Sequence, residues 1–350
     1  MDSLSLKQIR CTAERLVPYI DPTPLLRCCD RRVIDAISSD ELTLKLEFLQ
    51  RTGSFKVRGA INNILTRPDG DEGKGVTAVS AGNHAIAVAY AAQVLGVSAK
   101  VLMPRKASPA RIEKCISYGA EVVFFDDIGE GFGKMNAIAM AEDRTMVHPF
   151  DGMATLQGTA TVGLEIGDAL NDIDVVIVAV GGGGLIGGVG SALKAMKPGI
   201  QVIGVEPEGA CGMTQSLERG EPLESVAVKT IADSMGAPLH CVESFAICQR
   251  VINRMVLVND DGLCQAMALI YDTFRFALEP AGVSVIAALT GPLAGSLRGQ
   301  RITALLCGSN IDESTWCDLV QRGRDDANSW DRCSTTLEVD SFDNTDLDTI

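Results

Sequence analysis

Short runs of β-branched and aliphatic residues alternate with longer amphipathic stretches from about Leu42 to Gly308. The strand-like runs are Leu42 to Phe48, Gly75 to Ser80, Lys100 to Met103, Glu121 to Phe125, Val175 to Val180, Gln201 to Val205 and Ile302 to Leu306. Helical spacing of apolar residues appears between them, at Asn83 to Leu95, Pro109 to Ser117, Thr155 to Leu170 and Gly262 to Phe276. Strands separated by helices predict an α/β fold of open, twisted, mostly parallel sheets flanked by helices. Four strand–helix units between Gly75 and Pro149 predict a compact unit of their own. The polar, turn-rich stretch Arg67-Pro-Asp-Gly-Asp-Glu-Gly marks the crossing into it, and Pro149 to Gly152 the crossing back. The expected division is a large unit of residues 1–68 and 151–323 with a small inserted unit of 69–150. Met1 to Arg15 reads as a polar-faced helix. From Arg324 to Ile350 the chain is rich in Asp, Ser, Thr and Asn, which predicts an acidic, mostly disordered tail with a short packed piece near Trp330.

Composition narrows the function classes. A chain of 350 residues, 46% hydrophobic, has enough apolar material for more than one core. The formal charge of -14 disfavours a nucleic-acid partner. It does not disfavour a small phosphorylated cofactor, which backbone N–H groups can hold without positive side chains. The 11 cysteines are scattered, without a repeated CxxC, and Cys28 and Cys29 are adjacent; reduced thiols and a cytoplasmic setting are expected. No charged-then-apolar leader opens the sequence, and the longest aliphatic run, Val175 to Val180, is too short to span a bilayer.

Five stretches carry candidate chemistry. In Thr52-Gly-Ser-Phe-Lys-Val-Arg-Gly-Ala, Ser54 is a good N-cap for a helix beginning near Phe55, with Lys56 in its first turn. A cation there is disfavoured, so the Lys56 amine is suited to attack an aldehyde and to accept a proton; a solvated surface lysine is the bland alternative. In Ser80-Ala-Gly-Asn-His, free N–H groups and polar side chains at a strand-to-helix turn form a carboxylate pocket, although Asn83 could simply cap the helix and His84 hydrogen-bond within the protein. Gly181-Gly-Gly-Gly-Leu-Ile-Gly-Gly follows a strand and can wrap a phosphate. Gly182, Gly184 and Gly187 also read as GxGxxG, and Glu206 stands where a ribose-binding acid would, so a dinucleotide oxidoreductase competes on this segment alone. Leu305-Leu-Cys-Gly-Ser-Asn ends the last strand, where ligands gather; Cys307 could equally be a small buried apolar residue. Glu279, in Leu278-Glu-Pro-Ala-Gly, is either a site carboxylate or a helix-start charge.

Taken in order, from about Asp21-Pro-Thr-Pro-Leu to Asn310, these stretches resemble the fold-type-II pyridoxal-phosphate family, in particular threonine dehydratases, serine dehydratases and serine racemase, with a tryptophan synthase β-like fold. The resemblance implies that Lys56 is the Schiff-base lysine and Phe55 the residue beside the ring. It implies that Gly181, Gly182, Gly183, Gly184 and Leu185 hold the phosphate, that Asn83 contacts the ring hydroxyl, and that Cys307 faces the pyridine nitrogen, with Glu279 also at the cofactor. Ser80, Ala81, Asn83 and His84 match the loop for the substrate carboxylate. The implied cofactor is pyridoxal 5′-phosphate and the implied reaction is dehydration of a β-hydroxy amino acid, such as L-threonine or L-serine, to a 2-keto acid and ammonia. A homodimer with no membrane or nucleic-acid partner is the family expectation; an amino-acid racemase is the alternative within the family.

Three departures sharpen the expectation. Racemases of the family place a second catalytic serine where this chain has Ala81, which favours dehydration. Phe132 stands where racemase-like members carry an arginine near the substrate side chain, which suits a methyl or a larger apolar group. The divalent-cation site of some relatives needs a glutamate and, six positions on, an aspartate; Glu206 is present but Gly212 follows, so metal binding is not expected beyond Glu206 as a candidate.

Overall fold

The computed structural model describes residues 4–326 apart from 38, 40, 69, 72 and 127. The first half of the chain forms α1 (Leu6–Leu16), β1 (Leu25–Cys28), α2 (Arg31–Ile37), β2 (Leu42–Leu46), α3 (Lys56–Leu65), β3 (Val76–Val79), α4 (Asn83–Leu95), β4 (Ala99–Pro104), α5 (Pro109–Ser117), β5 (Glu121–Phe125), α6 (Ile128–Ala141) and β6 (Thr145–Met146). The second half forms α7 (Met153–Ala169), β7 (Val175–Ala179), α8 (Gly184–Met196), β8 (Gln201–Pro207), α9 (Gly212–Arg219), α10 (Val242–Val251), β9 (Arg254–Val258), α11 (Asp260–Phe274), α12 (Pro280–Thr290), β10 (Ile302–Leu306) and α13 (Glu313–Asp326).

Two sheets result, with strand orders β1-β2-β10-β7-β8-β9 and β5-β4-β3-β6. Every pairing is parallel except β1 on β2. Helices cover the parallel strands on both faces, which is why β7 and β10 are buried along their whole length and read as unbroken aliphatic runs rather than alternating ones. Each sheet has its own apolar core, one around Val176, Ile203 and Leu305, the other around Ile61, Val88 and Val101.

The small sheet departs from the expected four strand–helix units. It has three, closed by β6, a two-residue strand with no helix of its own before the chain turns back into α7. α13 continues through Asp326, so the segment expected to be tail from 324 is helical for its first three residues. Close packing explains this: a side chain at Gly323 would meet the Cys264 carbonyl of α11 at 2.1 Å. Residues 327–350, including Trp330, lie outside the described residues. We propose the same two-unit division as the sequence suggests, extended to 326. No helix among the described residues is long and apolar enough to cross a membrane, and no disulfide joins two of the described cysteines.

Candidate active site

β2, β10 and β7 run parallel in the larger sheet, and the segments leaving their C-terminal ends, with the one leaving β3 of the smaller sheet, meet at one cleft of about 1070 Å³. Phe55, Lys56, Ser80, Ala81, Asn83, His84, Phe132, Gly181 to Leu185, Glu279 and Cys307 all line it. Glu206, the candidate cation ligand, lies elsewhere, as does Gly187 of the GxGxxG reading.

The Lys56 segment is held by backbone first. Thr52 and Gly53 both take positive φ, 70° and 77°, and Ser54 returns to an extended conformation bridged to Gly308. Ser54 therefore does not cap α3, as expected from its type; the N-cap position falls to Phe55, and the Ser54 hydroxyl is buried without a partner. Lys56 opens the helix, its stem bordering the cleft and its amine donating to the Pro149 carbonyl at 2.5 Å. Burial lowers the amine to about 8, the nearby Cys307 and Glu279 opposing the shift. Two residues on, Arg58 is fully buried and clamps α3 to its surroundings: its guanidinium donates to both Glu47 oxygens at 2.9 Å and to Glu165 at 2.6 Å. Lys45 completes a balanced set of two cations and two carboxylates through Glu165 at 2.5 Å.

The next segment, Ser80 to His84, turns into α4. The Ser80 hydroxyl accepts the Gly82 N–H at 3.1 Å. His84 bonds the Val147 carbonyl through Nε2 at 2.8 Å, and burial, aided by Lys56, drops its imidazole to about 3, so the ring is neutral. Asn83 is the first helical residue rather than the cap, and its amide reaches Glu279 Oε1 at 2.6 Å. Glu279, buried at the N-terminus of α12, is raised to about 7 by burial, with Arg111 opposing.

Gly181 to Gly184 form the N-terminal approach to α8, with Gly183 at φ 91°. Among the described residues, the N–H groups of Gly182 to Leu185 have no hydrogen-bond partner, a row of free donors at a helix N-terminus that fits a phosphate. A side chain at Gly182 would lie 2.1 Å from the Phe150 ring. Gly182→Ala is accordingly expected to cost about 1–3 kcal/mol and to weaken binding of pyridoxal phosphate, measured by denaturant titration and by cofactor titration of the cofactor-free protein. Cys307 donates its thiol to the Ala281 carbonyl at 3.3 Å, and burial raises it far above the usual thiol range, so it stays neutral. A half-buried amine, a neutral thiol and unpaired backbone donors in one cleft fit pyridoxal phosphate.

Several lining residues escaped the sequence reading. Phe132, which had been noted, is joined by His148 and Phe150: the ring centroids lie 5.4 Å apart for Phe132–His148 and 4.7 Å for His148–Phe150. Burial lowers His148 to about 4, leaving it neutral and able to behave as a third aromatic surface. His148, Asp151 and Cys241 also cluster in a way that could suit a metal. Their bonds are made within the protein, however. His148 Nδ1 accepts the Asp151 N–H at 3.0 Å, which puts the ring proton on Nε2, and Asp151 Oδ1 accepts the Ser244 N–H at the start of α10. Arg111 and Asp233 line the cleft as well, with Asn310 behind them: Arg111 ion-pairs with Asp233 and donates to the Asn310 carbonyl at 2.7 Å. The signals for these were slight, His148 being one of three histidines and Asn310 ending the Cys307 stretch.

Glu206, the candidate cation ligand and ribose acid, is bonded within the protein. Its oxygens accept the Met213 and Thr214 N–H groups, both at 2.8 Å, and the Thr214 hydroxyl at 2.6 Å. Burial raises it to about 7 despite these bonds. The carboxylate is thus bonded to the first turn of α9, away from the cleft.

Comparison with known proteins agrees with the geometry. Residues 16–308 match the family described as pyridoxal-phosphate dependent enzyme. The chain is 43% identical over 319 residues to phenylserine dehydratase of Ralstonia pickettii, covering 90% of this chain and 97% of that one. It is 33% identical over 325 residues to serine racemase of rice (Oryza sativa), covering 91% and 94%. Among solved structures it is similar to the processed form of threonine deaminase isoform 2 from Solanum lycopersicum, with a TM-score of 0.83, 32% identity and coverage of 92% and 94%.

Proposed function

Because the chain belongs to the pyridoxal-phosphate dependent enzymes, of fold type II and the dehydratase and racemase group, we propose that it dehydrates a β-hydroxy amino acid to a 2-keto acid and ammonia, preferring an aromatic side chain to that of threonine or serine. The observation that carries this reading is the wall of Phe132, His148 and Phe150 beside Lys56: Phe132 and Phe150 border the main cleft, and His148 borders the adjoining recess that Lys56 shares. Neutral rings in contact favour an apolar, flat group over a charged one. The likeness to phenylserine dehydratase supports the same choice.

When bound, pyridoxal phosphate supplies the electron withdrawal that loosens the proton on the substrate Cα. This chain's residues do the rest. The N–H groups of Gly182 to Leu185 and the start of α8 would hold the phosphate. Ser80 to His84 would take the substrate carboxylate at the start of α4. Lys56 Nζ would accept the Cα proton, for which an amine lowered to about 8 is well matched near neutral pH. Cys307, a neutral thiol, would leave the ring nitrogen without an acidic partner, which favours prompt elimination. At Ala81 there is no acid or base to return a proton from the opposite face, which supports dehydration over racemisation.

Comparing kcat/KM for keto-acid release from phenylserine, threonine and serine tests the reading. Phenylserine is expected to lead by roughly tenfold or more. Equal use of all three would remove the aromatic preference, and no keto acid from any would remove the dehydratase assignment. Ala81→Ser is expected to introduce measurable inversion at Cα; a variant that still dehydrates without any inversion speaks against the role given to that position.

A further inference from the structure

We propose that Asn310 and Lys114 are positioning residues that decide which way round the Asn83 side-chain amide is presented to the cofactor. The inference rests on the reading, made above, that Asn83 faces the cofactor. A side-chain amide can turn over, exchanging its donor and acceptor ends, with little steric cost. In this protein the choice is forced link by link. Lys114 Nζ on α5 lies 2.8 Å from one end of the Asn310 side chain, and an ammonium can only donate, so that end is Oδ1. The other end, Nδ2, donates to the Thr52 carbonyl at 2.8 Å and to Asn83 at 2.6 Å. The Asn83 atom that receives it must be Oδ1. Asn83 Nδ2 is thereby turned toward Glu279 Oε1 at 2.6 Å and Ser234 Oγ at 3.3 Å.

Every bond in this row runs in one direction, from Lys114 to Glu279. Glu279 could not impose that direction itself, because burial raises its carboxyl to about 7 and a protonated carboxyl could donate to an amide oxygen instead. The anchor lies at the other end. Thr52 takes φ 70°, rare for a β-branched residue, and its carbonyl meets both Asn310 Nδ2 and, at 3.3 Å, Lys114 Nζ, while its own hydroxyl is buried without a partner. Arg111 fixes the Asn310 backbone through its carbonyl. The row also crosses between the two sheets, with Lys114 and Asn83 on helices of the smaller and Thr52, Asn310 and Glu279 on segments of the larger. Orientation of a cofactor-facing amide is thus tied to how the sheets meet.

Asn310→Asp keeps the shape but sets an acceptor against two acceptors, the Thr52 carbonyl and Asn83 Oδ1. The measurement is the dissociation constant of pyridoxal phosphate from the full-length protein, read by titrating the cofactor back into cofactor-free enzyme. Asn310→Asp is expected to weaken binding roughly tenfold with Asn83 in place and by no more than about twofold in an Asn83→Ala background, since its effect passes through Asn83. Equal losses in both backgrounds, or no loss in either, overturn the proposal. If Asn83→Ala alone binds cofactor as tightly as the parent, the underlying reading of Asn83 falls and the proposal with it. Lys114→Met, which leaves Asn310 intact, is expected to weaken binding about threefold, again only with Asn83 present. It supplies the same comparison should Asn310→Asp not fold, and unchanged affinity in Lys114→Met overturns the argument from the ammonium.

Discussion

Lys56→Ala is expected to lower keto-acid release by about a thousandfold or more, the span that a positioned acid–base group contributes. Borohydride reduction of cofactor-loaded protein should leave the pyridoxyl mass on the peptide containing Lys56 and leave none in the variant. Retention of activity by Lys56→Ala, or an unlabelled Lys56 peptide in the parent, overturns the role assigned to this amine. The cofactor-free protein carries a second signature. Burial lowers the amine from 10.5 to about 8, so between those values the folded chain binds fewer protons than the unfolded chain. Its stability therefore rises with pH across that window, and the full cost of the buried cation is present below it. Urea midpoints of cofactor-free parent and Lys56→Ala, compared on either side of the window, should differ in slope in that sense.

Arg58→Met is expected to cost about 3–5 kcal/mol of stability, the other large effect. Arg58 and Glu47 are both fully buried, and burial alone would lower the guanidinium; Glu47 and Glu165 instead hold it above its ordinary value. Removing the arginine strands Glu47, whose remaining side-chain partner is the Thr23 hydroxyl at 2.5 Å. Adding Glu47→Gln to Arg58→Met should recover part of the loss by removing the stranded charge. Denaturant unfolding of the two single variants and the double checks this, and losses that simply add would show that the pair is not coupled. Because Arg58 stands two residues from Lys56, the network also explains why an ion cluster lies so close to the chemistry: it fixes the start of α3 against β2 and α7.

Much of the site was legible because its residues occupy the ends of strongly apolar strands. Val175 to Val180 and Ile302 to Leu306 announce themselves by composition, and whatever follows them at Gly181 and Cys307 inherits a place at the cleft. β1, β6 and β9 were not read. β1 is a four-residue edge strand, and β6 pairs through two residues, too few for any periodicity. β9, Arg254-Met-Val-Leu-Val, begins on a charged residue and offers only four apolar residues in a row before the Asn259 cap of α11, a run too short for periodicity to identify. The roles of Ser54, Glu206 and Asn310 were out of reach for another reason. Ser54 and Asn310 are decided by partners distant in sequence, Gly308 for the first and Asn83 and Lys114 for the second, and Glu206 by how the first turn of α9, seven residues on, aims its N–H groups. A polar residue type states what a side chain can bond, not which neighbour the fold will bring to it.

The strand order holds one more consequence. β10, the last strand among the described residues, inserts between β2 and β7 in the middle of the larger sheet. Until it emerges from the ribosome, β2 and β7 present unpaired edges flanked by aliphatic side chains, the kind of surface that recruits other strands. A nascent or truncated chain ending before Ile302 is therefore expected to be aggregation-prone however well its smaller sheet has folded.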